Sequence, residues 1–139
     1  MDRGEGGSRA ARREATLNDR IRDFRDLDVW KLARALTADI YRVTKDFPKH
    51  EVFGLTSQIQ RAAVSIIANL AEGAGRMGAA EYRHHISIAL GSAAELRALL
   101  IVSVDIGYLP EAETHGFFDR IDRLEMMLHG LRKSLATSQ

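Results

Sequence analysis

The feature that most constrains the fold of this chain is a helical spacing of apolar residues that recurs in four separate segments. Side chains that recur at steps of three and four residues lie on one face of an α-helix. The four stripes are Val29, Ala33, Leu36, Ile40, Val43 and Phe47; Leu55, Ile59, Ala62, Ile66, Asn69 and Gly73; Tyr82, Ile86, Ala89, Ala93, Leu96 and Leu100; and Phe117, Ile121, Leu124, Leu128, Leu131 and Leu135. No segment shows the sustained alternation of a strand, so the sequence predicts an all-α fold.

The stops between these stripes are glycine and proline residues. Pro48 ends the first segment, Gly73 and Gly75 are expected to end the second, and Gly107 the third. Pro110 suits the first turn of the fourth segment. The predicted helices cover about residues 28–46, 52–74, 79–106 and 111–135. Because the loops between them are short, the expected architecture is an antiparallel up-down-up-down four-helix bundle.

Charge is distributed unevenly along the 139 residues, which fit one domain. Residues 1–25 hold seven arginines against five carboxylates, a net charge of +2. The rest, residues 26–139, holds thirteen bases and fourteen acids, a net charge of −1. The first 25 residues have few large apolar side chains, so we expect a mobile, arginine-containing tail over residues 1–25 and the bundle over residues 26–136.

Composition excludes several classes of protein. The chain has no cysteine, which excludes disulfide frameworks, thiolate zinc sites, cysteine nucleophiles and cysteine-ligated iron–sulfur clusters. A net charge of +1 excludes a strongly basic domain. No secretory signal and no run of about 18 apolar residues is evident, so we expect a cytoplasmic protein without a membrane partner.

Three patterns are candidates for chemistry. Gly73, Gly75 and Gly78 match a dinucleotide fingerprint, but no strand precedes them. A phosphate bound by Arg76 and the first N–H groups of the third helix is the option that remains. Glu81 and His84 have the spacing of one di-iron ligand pair, but the second pair is missing. We therefore predict no metal, no cofactor, no small-molecule substrate and no enzymatic activity.

One polar residue lies on an apolar stripe. Asn69 belongs to the stripe of the second helix, where a buried amide needs a hydrogen-bond partner. We predict that it fixes the register of that helix against its neighbour.

The second and third helices carry more apolar residues than one stripe requires. The additional residues are Ala63, Ile67 and Leu70 on the second helix, and Ile88, Leu90, Leu99, Ile101 and Val102 on the third. A wide core with scattered surface apolar residues is one explanation of this surplus. Its concentration on two helices favours the other, a surface for self-association.

Five stretches resemble the 23S rRNA intervening-sequence proteins, a family of four-helix bundle proteins. These are residues 24–30 (FRDLDVW), 53–66 (FGLTSQIQRAAVSI), 69–76 (NLAEGAGR), 88–96 (IALGSAAEL) and 105–109 (DIGYL). The matched motif residues, to which we assign structural roles, are Trp30, Gln58, Arg61, Asn69, Glu72, Gly73, Gly75, Gly91, Ser92 and Glu95. The chain has Ile67 where the family commonly has proline, so we expect a straighter second helix.

The resemblance implies a ring- or barrel-shaped homopentamer and no known enzymatic activity. The family is similar to the accessory protein of diversity-generating retroelements, a pentameric barrel associated with RNA and a reverse transcriptase. The resemblance implies a non-enzymatic oligomeric scaffold. Its expected partner is structured RNA or a ribonucleoprotein, for example one that contains a reverse transcriptase. The candidate nucleic-acid contacts are Arg9, Arg12, Arg13, Arg20, Arg22 and Arg76. The alternative is a protein–protein adaptor or structural assembly with no nucleic-acid role, which the net charge of −1 on residues 26–139 favours.

Overall fold

The computed structural model describes residues 24–76 and 78–137. Within these ranges the chain forms four long α-helices and two short 3-10 turns, with no strand. The helices are α1 (Asp28–Thr44), α2 (Leu55–Gly75), α3 (Ala79–Asp105) and α4 (Glu111–Thr137), and the turns are Phe24–Asp26 and Lys49–Glu51. The predicted all-α class is therefore confirmed. Residues 1–23, most of the predicted tail, lie outside the described residues.

The four helices enclose one apolar core. Each helix contacts the next one along the chain, and α1 also contacts α4, which closes the bundle. The largest fully buried side chains are Leu36, Ile40, Ile59, Ile66, Leu70, Ile86, Leu96, Leu100, Leu109, Ile121, Leu124 and Leu128. Most belong to the predicted stripes, and each contributes about 1.5–3 kcal/mol through removal from water. Burial of these stripes is thus the main force that holds the bundle together.

The observed helix ends differ from the predicted ones by a few residues. The start of α2 is at Leu55 rather than Val52, because the chain first makes a 3-10 turn over Lys49–Glu51 and a further turn that ends at Gly54. At its other end α2 continues through Gly75 as one uninterrupted helix, with Ile67 half-buried in it.

The end of α3 is fixed by Gly107, as its sequence position predicts. This residue has a φ of 82°, a left-handed conformation that favours glycine. The backbone N–H of Gly107 donates to the carbonyl of Val104 at 3.0 Å, and that of Tyr108 donates to Ser103 at 2.9 Å. These two bonds are those of a Schellman motif, which satisfies carbonyls at the end of a helix.

The apolar surplus of the second and third helices is only partly on the surface. Ala63 and Leu70 belong to the core, and Ile67, Leu90 and Leu99 pack against it. Ile88, Ile101 and Val102 remain exposed on α3. By length and composition α3 is apolar enough to cross a membrane, a property that it shares with buried core helices. Of the additional apolar residues named in the sequence analysis, those that remain exposed all lie on the outer face of α3.

Exposed apolar residues also occur beside the ends of α2 and α3. Phe53 is 97% exposed and follows the exposed Val52 in the turn before α2. Ile106 is exposed directly after α3. The hydroxyl of Tyr108 lies 3.4 Å from Nε2 of His50, so the turn before α2 and the turn after α3 meet at one end of the bundle.

Candidate functional site

A row of polar side chains lies in the contact between α2 and α3. It consists of Ser65 and Asn69 on α2 and His85 and Ser92 on α3, and we call it the α2–α3 polar row. The hydroxyl of Ser92 donates to Oγ of Ser65 at 2.7 Å. Nδ2 of Asn69 donates to the carbonyl oxygen of Ser65 at 2.8 Å and to its Oγ at 3.2 Å. Oδ1 of Asn69 lies 2.9 Å from Nδ1 of His85.

These contacts assign the proton on His85. Because the amide nitrogen of Asn69 donates to Ser65, its Oδ1 is the acceptor for Nδ1–H of His85. The other ring nitrogen, Nε2, lies 3.9 Å from Oε1 of Glu72. Asn69 is half-buried at the edge of the core rather than deep inside it. It has partners on its own helix and on α3, as the prediction that it fixes register requires.

The polar row continues into an ion cluster where α2 ends. Nη2 of Arg76 donates to Oε1 of Glu72 at 2.7 Å, and its Nε lies 3.9 Å from Oε2 of Glu81. The hydrogen bond from Arg76, followed by the charge of His85, lowers the pKa of Glu72. The same hydrogen bond raises the pKa of Arg76. A phosphate that bound Arg76 would therefore compete with two carboxylates.

Gly73 allows α2 and α3 to approach each other closely. A Cβ atom at this position would lie 2.8 Å from Cβ of His85 and 3.1 Å from Cδ1 of Tyr82. The expectation that Gly73 ends the helix is wrong, because α2 continues through Gly75. Gly73 is required for packing instead: a side chain there would overlap with α3.

Tyr82 on α3 packs against Gly73 beside His85. Its side chain is 2% exposed, and its hydroxyl is buried without a hydrogen-bond partner among the described residues. Burial raises the pKa of Tyr82 to about 12. The ring therefore contributes to stability as an apolar group that fills the space above Gly73.

The structure brings together half of the motif residues singled out in the sequence. Asn69, Glu72, Gly73 and Ser92 meet between α2 and α3, with Gly75 and the nucleic-acid candidate Arg76 at the end of α2. Trp30 lies elsewhere, with its ring 5.1 Å from that of Phe24. Four more residues, Gln58, Arg61, Gly91 and Glu95, are exposed on the outer faces of α2 and α3.

The third stripe predicted the burial of Tyr82, but sequence reasoning assigned no role to Ser65 or His85. The spacing of Ser65 and Asn69 by four residues, one helical turn, was the available signal. The pair Glu81 and His84 acquires no third ligand: the described ranges contain no group of three residues able to hold a metal ion. Five of the candidate contacts, Arg9, Arg12, Arg13, Arg20 and Arg22, lie outside the described residues.

Comparison with known families identifies the region that contains this site. The model of the 23S rRNA-intervening sequence protein family matches residues 25–130, which is more than half of the chain. The match includes α1, α2, α3 and all of the α2–α3 polar row, whereas the five tail arginines precede it. A search of curated proteins finds no match to this chain.

The close contact at Gly73 predicts that alanine substitution destabilises the protein at Gly73 but not at Gly75. Gly73→Ala introduces a methyl group into a filled space, so we expect the free energy of unfolding to fall by about 1–3 kcal/mol. Gly75→Ala is the matched control, because a Cβ atom added there would meet no neighbouring atom within 4 Å. In urea unfolding followed by circular dichroism, equal midpoints for the two variants would contradict the packing role of Gly73.

The buried phenol of Tyr82 predicts an alkaline loss of stability. The unfolded chain ionises this group near pH 10 and the folded chain only near pH 12. The protonated phenol therefore makes its full contribution to the free energy of unfolding below pH 10, and this contribution falls as the pH rises toward 12. We expect Tyr82→Phe to preserve stability at neutral pH, since its hydroxyl has no described partner, and to flatten the decline between pH 10 and 12. An unchanged decline in Tyr82→Phe, measured by urea unfolding, would contradict this assignment.

Proposed function

Because the chain belongs to the 23S rRNA-intervening sequence protein family, we propose that it is a non-enzymatic oligomeric scaffold that binds structured RNA or a ribonucleoprotein. The family match is the observation that carries this proposal. We further propose that the scaffold is a cytoplasmic homopentamer of up-down-up-down bundles, the assembly that the motif resemblance implies.

Contacts between successive helices support the up-down-up-down order. Thr37 on α1 donates to the carbonyl of Ala63, and Gln60 donates to Thr44. The partner numbers thus fall on α2 as they rise on α1, which is typical of antiparallel helices. The pairs Ser65–Ser92 and Asn69–His85 follow the same rule between α2 and α3.

The chemistry of the α2–α3 polar row supports a structural role. Oγ of Ser65 accepts from both Asn69 and Ser92, and Nδ1 of His85 donates to Asn69. These polar groups satisfy one another across two helices. Such a network holds α3 in one register on α2, which suits a scaffold.

The outer face of α3 supports self-association. Ile88, Leu99 and Val102 lie on one side of the helix because their spacings are close to whole helical turns. Ile88 and Val102 are exposed, and Leu99 is half-buried. Ile106 extends this row past the end of the helix. Gly91 and Glu95 separate Ile88 from Leu99 on this side of the helix, so the larger apolar patch runs from Leu99 to Ile106. Exposed apolar residues grouped on one helix face are typical of a protein–protein interface.

A protein–protein adaptor is the second candidate, and the ion pairs of the bundle favour it. Arg42 and Arg120 both bind Asp39, Arg76 binds Glu72, and Arg97 binds Asp122 and Glu125. Charges neutralised in this way attract phosphates weakly. Under this alternative the exposed apolar row binds a different protein rather than another copy of the chain.

The oligomeric proposal predicts a molar mass five times the 15.5 kDa of one chain. Light scattering after size-exclusion chromatography measures it. Ile88→Glu combined with Val102→Glu is expected to lower the mass, since charges in an apolar interface are costly. Met126→Glu is the control, because Met126 is apolar and 73% exposed but lies on α4. A wild-type mass of one chain would refute the oligomer.

The RNA proposal predicts binding that weakens with salt. Fluorescence anisotropy of a labelled hairpin RNA is expected to show binding at about 50 mM salt, with an affinity lower by orders of magnitude at about 200 mM. Replacement of Arg9, Arg12, Arg13, Arg20 and Arg22 by glutamine tests the contribution of the tail. Absence of binding by the wild-type protein at low salt, with one protein partner recovered instead, would favour the adaptor.

A further inference from the structure

Arginines in the contact between α3 and α4 have two different kinds of partner. Nη2 of Arg97 lies 2.6 Å from Oδ1 of Asp122 and 2.8 Å from Oε1 of Glu125. Nearer the start of α3, Arg83 donates instead to the carbonyl of Leu135 at 3.2 Å. Its guanidinium is thus held by an uncharged group.

Arg132 on α4 is held in the same way as Arg83. Its Nη1 donates to the hydroxyl of Ser87 at 3.2 Å, and its Nη2 lies 3.0 Å from Nδ1 of His129. None of the ion pairs formed within residues 24–76 and 78–137 includes Arg83 or Arg132. One half of this helix contact is therefore acidic around Arg97, and the other half carries two guanidinium charges that no described carboxylate neutralises.

The contacts made by the two arginines are neighbours along α3 and α4. Arg83 and Ser87 are one turn apart on α3, and their respective partners Leu135 and Arg132 are nearly one turn apart on α4. The contacts Arg83–Leu135 and Ser87–Arg132 are thus successive along the same pair of helices. Residues one turn apart on a helix have Cβ atoms about 5–6 Å from each other, so the two contacts occupy adjacent turns of the α3–α4 interface.

Both arginines are preorganised and retain donors. Each is half-buried, and its contacts fix the direction of the guanidinium. A guanidinium has five N–H donors, whereas Arg83 uses one on Leu135 and Arg132 uses two on Ser87 and His129. Nδ1 of His129 accepts from Arg132, which places the proton of the neutral imidazole on Nε2 as a further donor. Lys133, exposed beside Arg132, adds positive charge.

We propose that Arg83 and Arg132 form an anion site for phosphodiester groups of RNA. This proposal rests on the proposed RNA-binding function. It places an RNA contact on the folded bundle rather than on the tail. Guanidinium groups bind phosphate oxygens through paired hydrogen bonds. Backbone contacts of this kind position a nucleic acid without reading its sequence. Capping of α4 by Arg83 uses one donor and places its charge at the negative end of the helix dipole, and it leaves the remaining donors of both arginines available.

Two double variants test the site with the labelled hairpin RNA. Arg83→Gln with Arg132→Gln is expected to weaken binding roughly tenfold and to reduce the slope of log affinity against log salt by about one per arginine. The control, Lys45→Gln with Arg123→Gln, removes two exposed charges elsewhere and is expected to change the affinity by less than about twofold. Arg83→Lys with Arg132→Lys keeps the charges and is expected to retain most of the affinity. RNA binding that is equal in the two glutamine variants would overturn the site while leaving the RNA-binding function intact.

A second measurement tests anion binding at Arg83 and Arg132 even if the wild-type protein binds no RNA. Titration with inorganic pyrophosphate is followed through the side-chain Nε resonances of Arg83 and Arg132 by NMR. Saturable shifts, absent in the glutamine variant, support the anion site even if the proposed function fails; absence of shifts overturns it. Light scattering of the glutamine variant is expected to give the wild-type mass. A lower mass would identify the two arginines as contacts between copies of the chain and would also overturn the proposal.

Discussion

The close contact between α2 and α3 is the constraint on which the rest of the site depends. Gly73 has no side chain, so Tyr82 and His85 of α3 pack directly against the backbone of α2. At this distance the short side chains of Ser65 and Ser92 reach each other at 2.7 Å, and Asn69 reaches His85 at 2.9 Å. A wider separation would leave several half-buried polar groups unsatisfied, which is costly. Packing and hydrogen bonding therefore require the same helix separation.

This constraint also orients the two outer surfaces of the helix pair. Once the polar row fixes the rotation of α3, its apolar stripe faces the core, and Ile88 and Val102 face outward. The side of α3 that contacts α4 is fixed at the same time. Arg83 and Ser87 then meet the last turns of α4, and Arg97 meets Asp122 and Glu125. The apolar row proposed for self-association and the proposed anion site are both consequences of one helix rotation.

Sequence periodicity predicts the core well and the polar contacts poorly. The stripes identify Leu36, Ile66 and Leu124 as core residues because apolar burial depends on the helical face alone. Gly73 is different: a glycine near a helix end has the same local signal whether it stops the helix or admits a neighbour. Only the position of His85 on α3 distinguishes the two cases. Similarly, Leu70 and Ala63 lie beside the main stripe of α2, yet they are buried because two other helices flank it.

By itself the sequence determined four helices, their core-facing residues, the stop at Gly107 and a family resemblance that the family match bears out. These features depend on local backbone preference and on helical period, which are properties of neighbouring residues along one chain. The tertiary structure decided which arginines are neutralised, what Asn69 binds and why residue 73 is glycine. Hydrogen bonds and ion pairs require atoms within about 3–4 Å, and the partners of Arg83, Arg97 and Arg132 include groups 25 to 52 residues away. Their meeting is therefore set by how the helices pack.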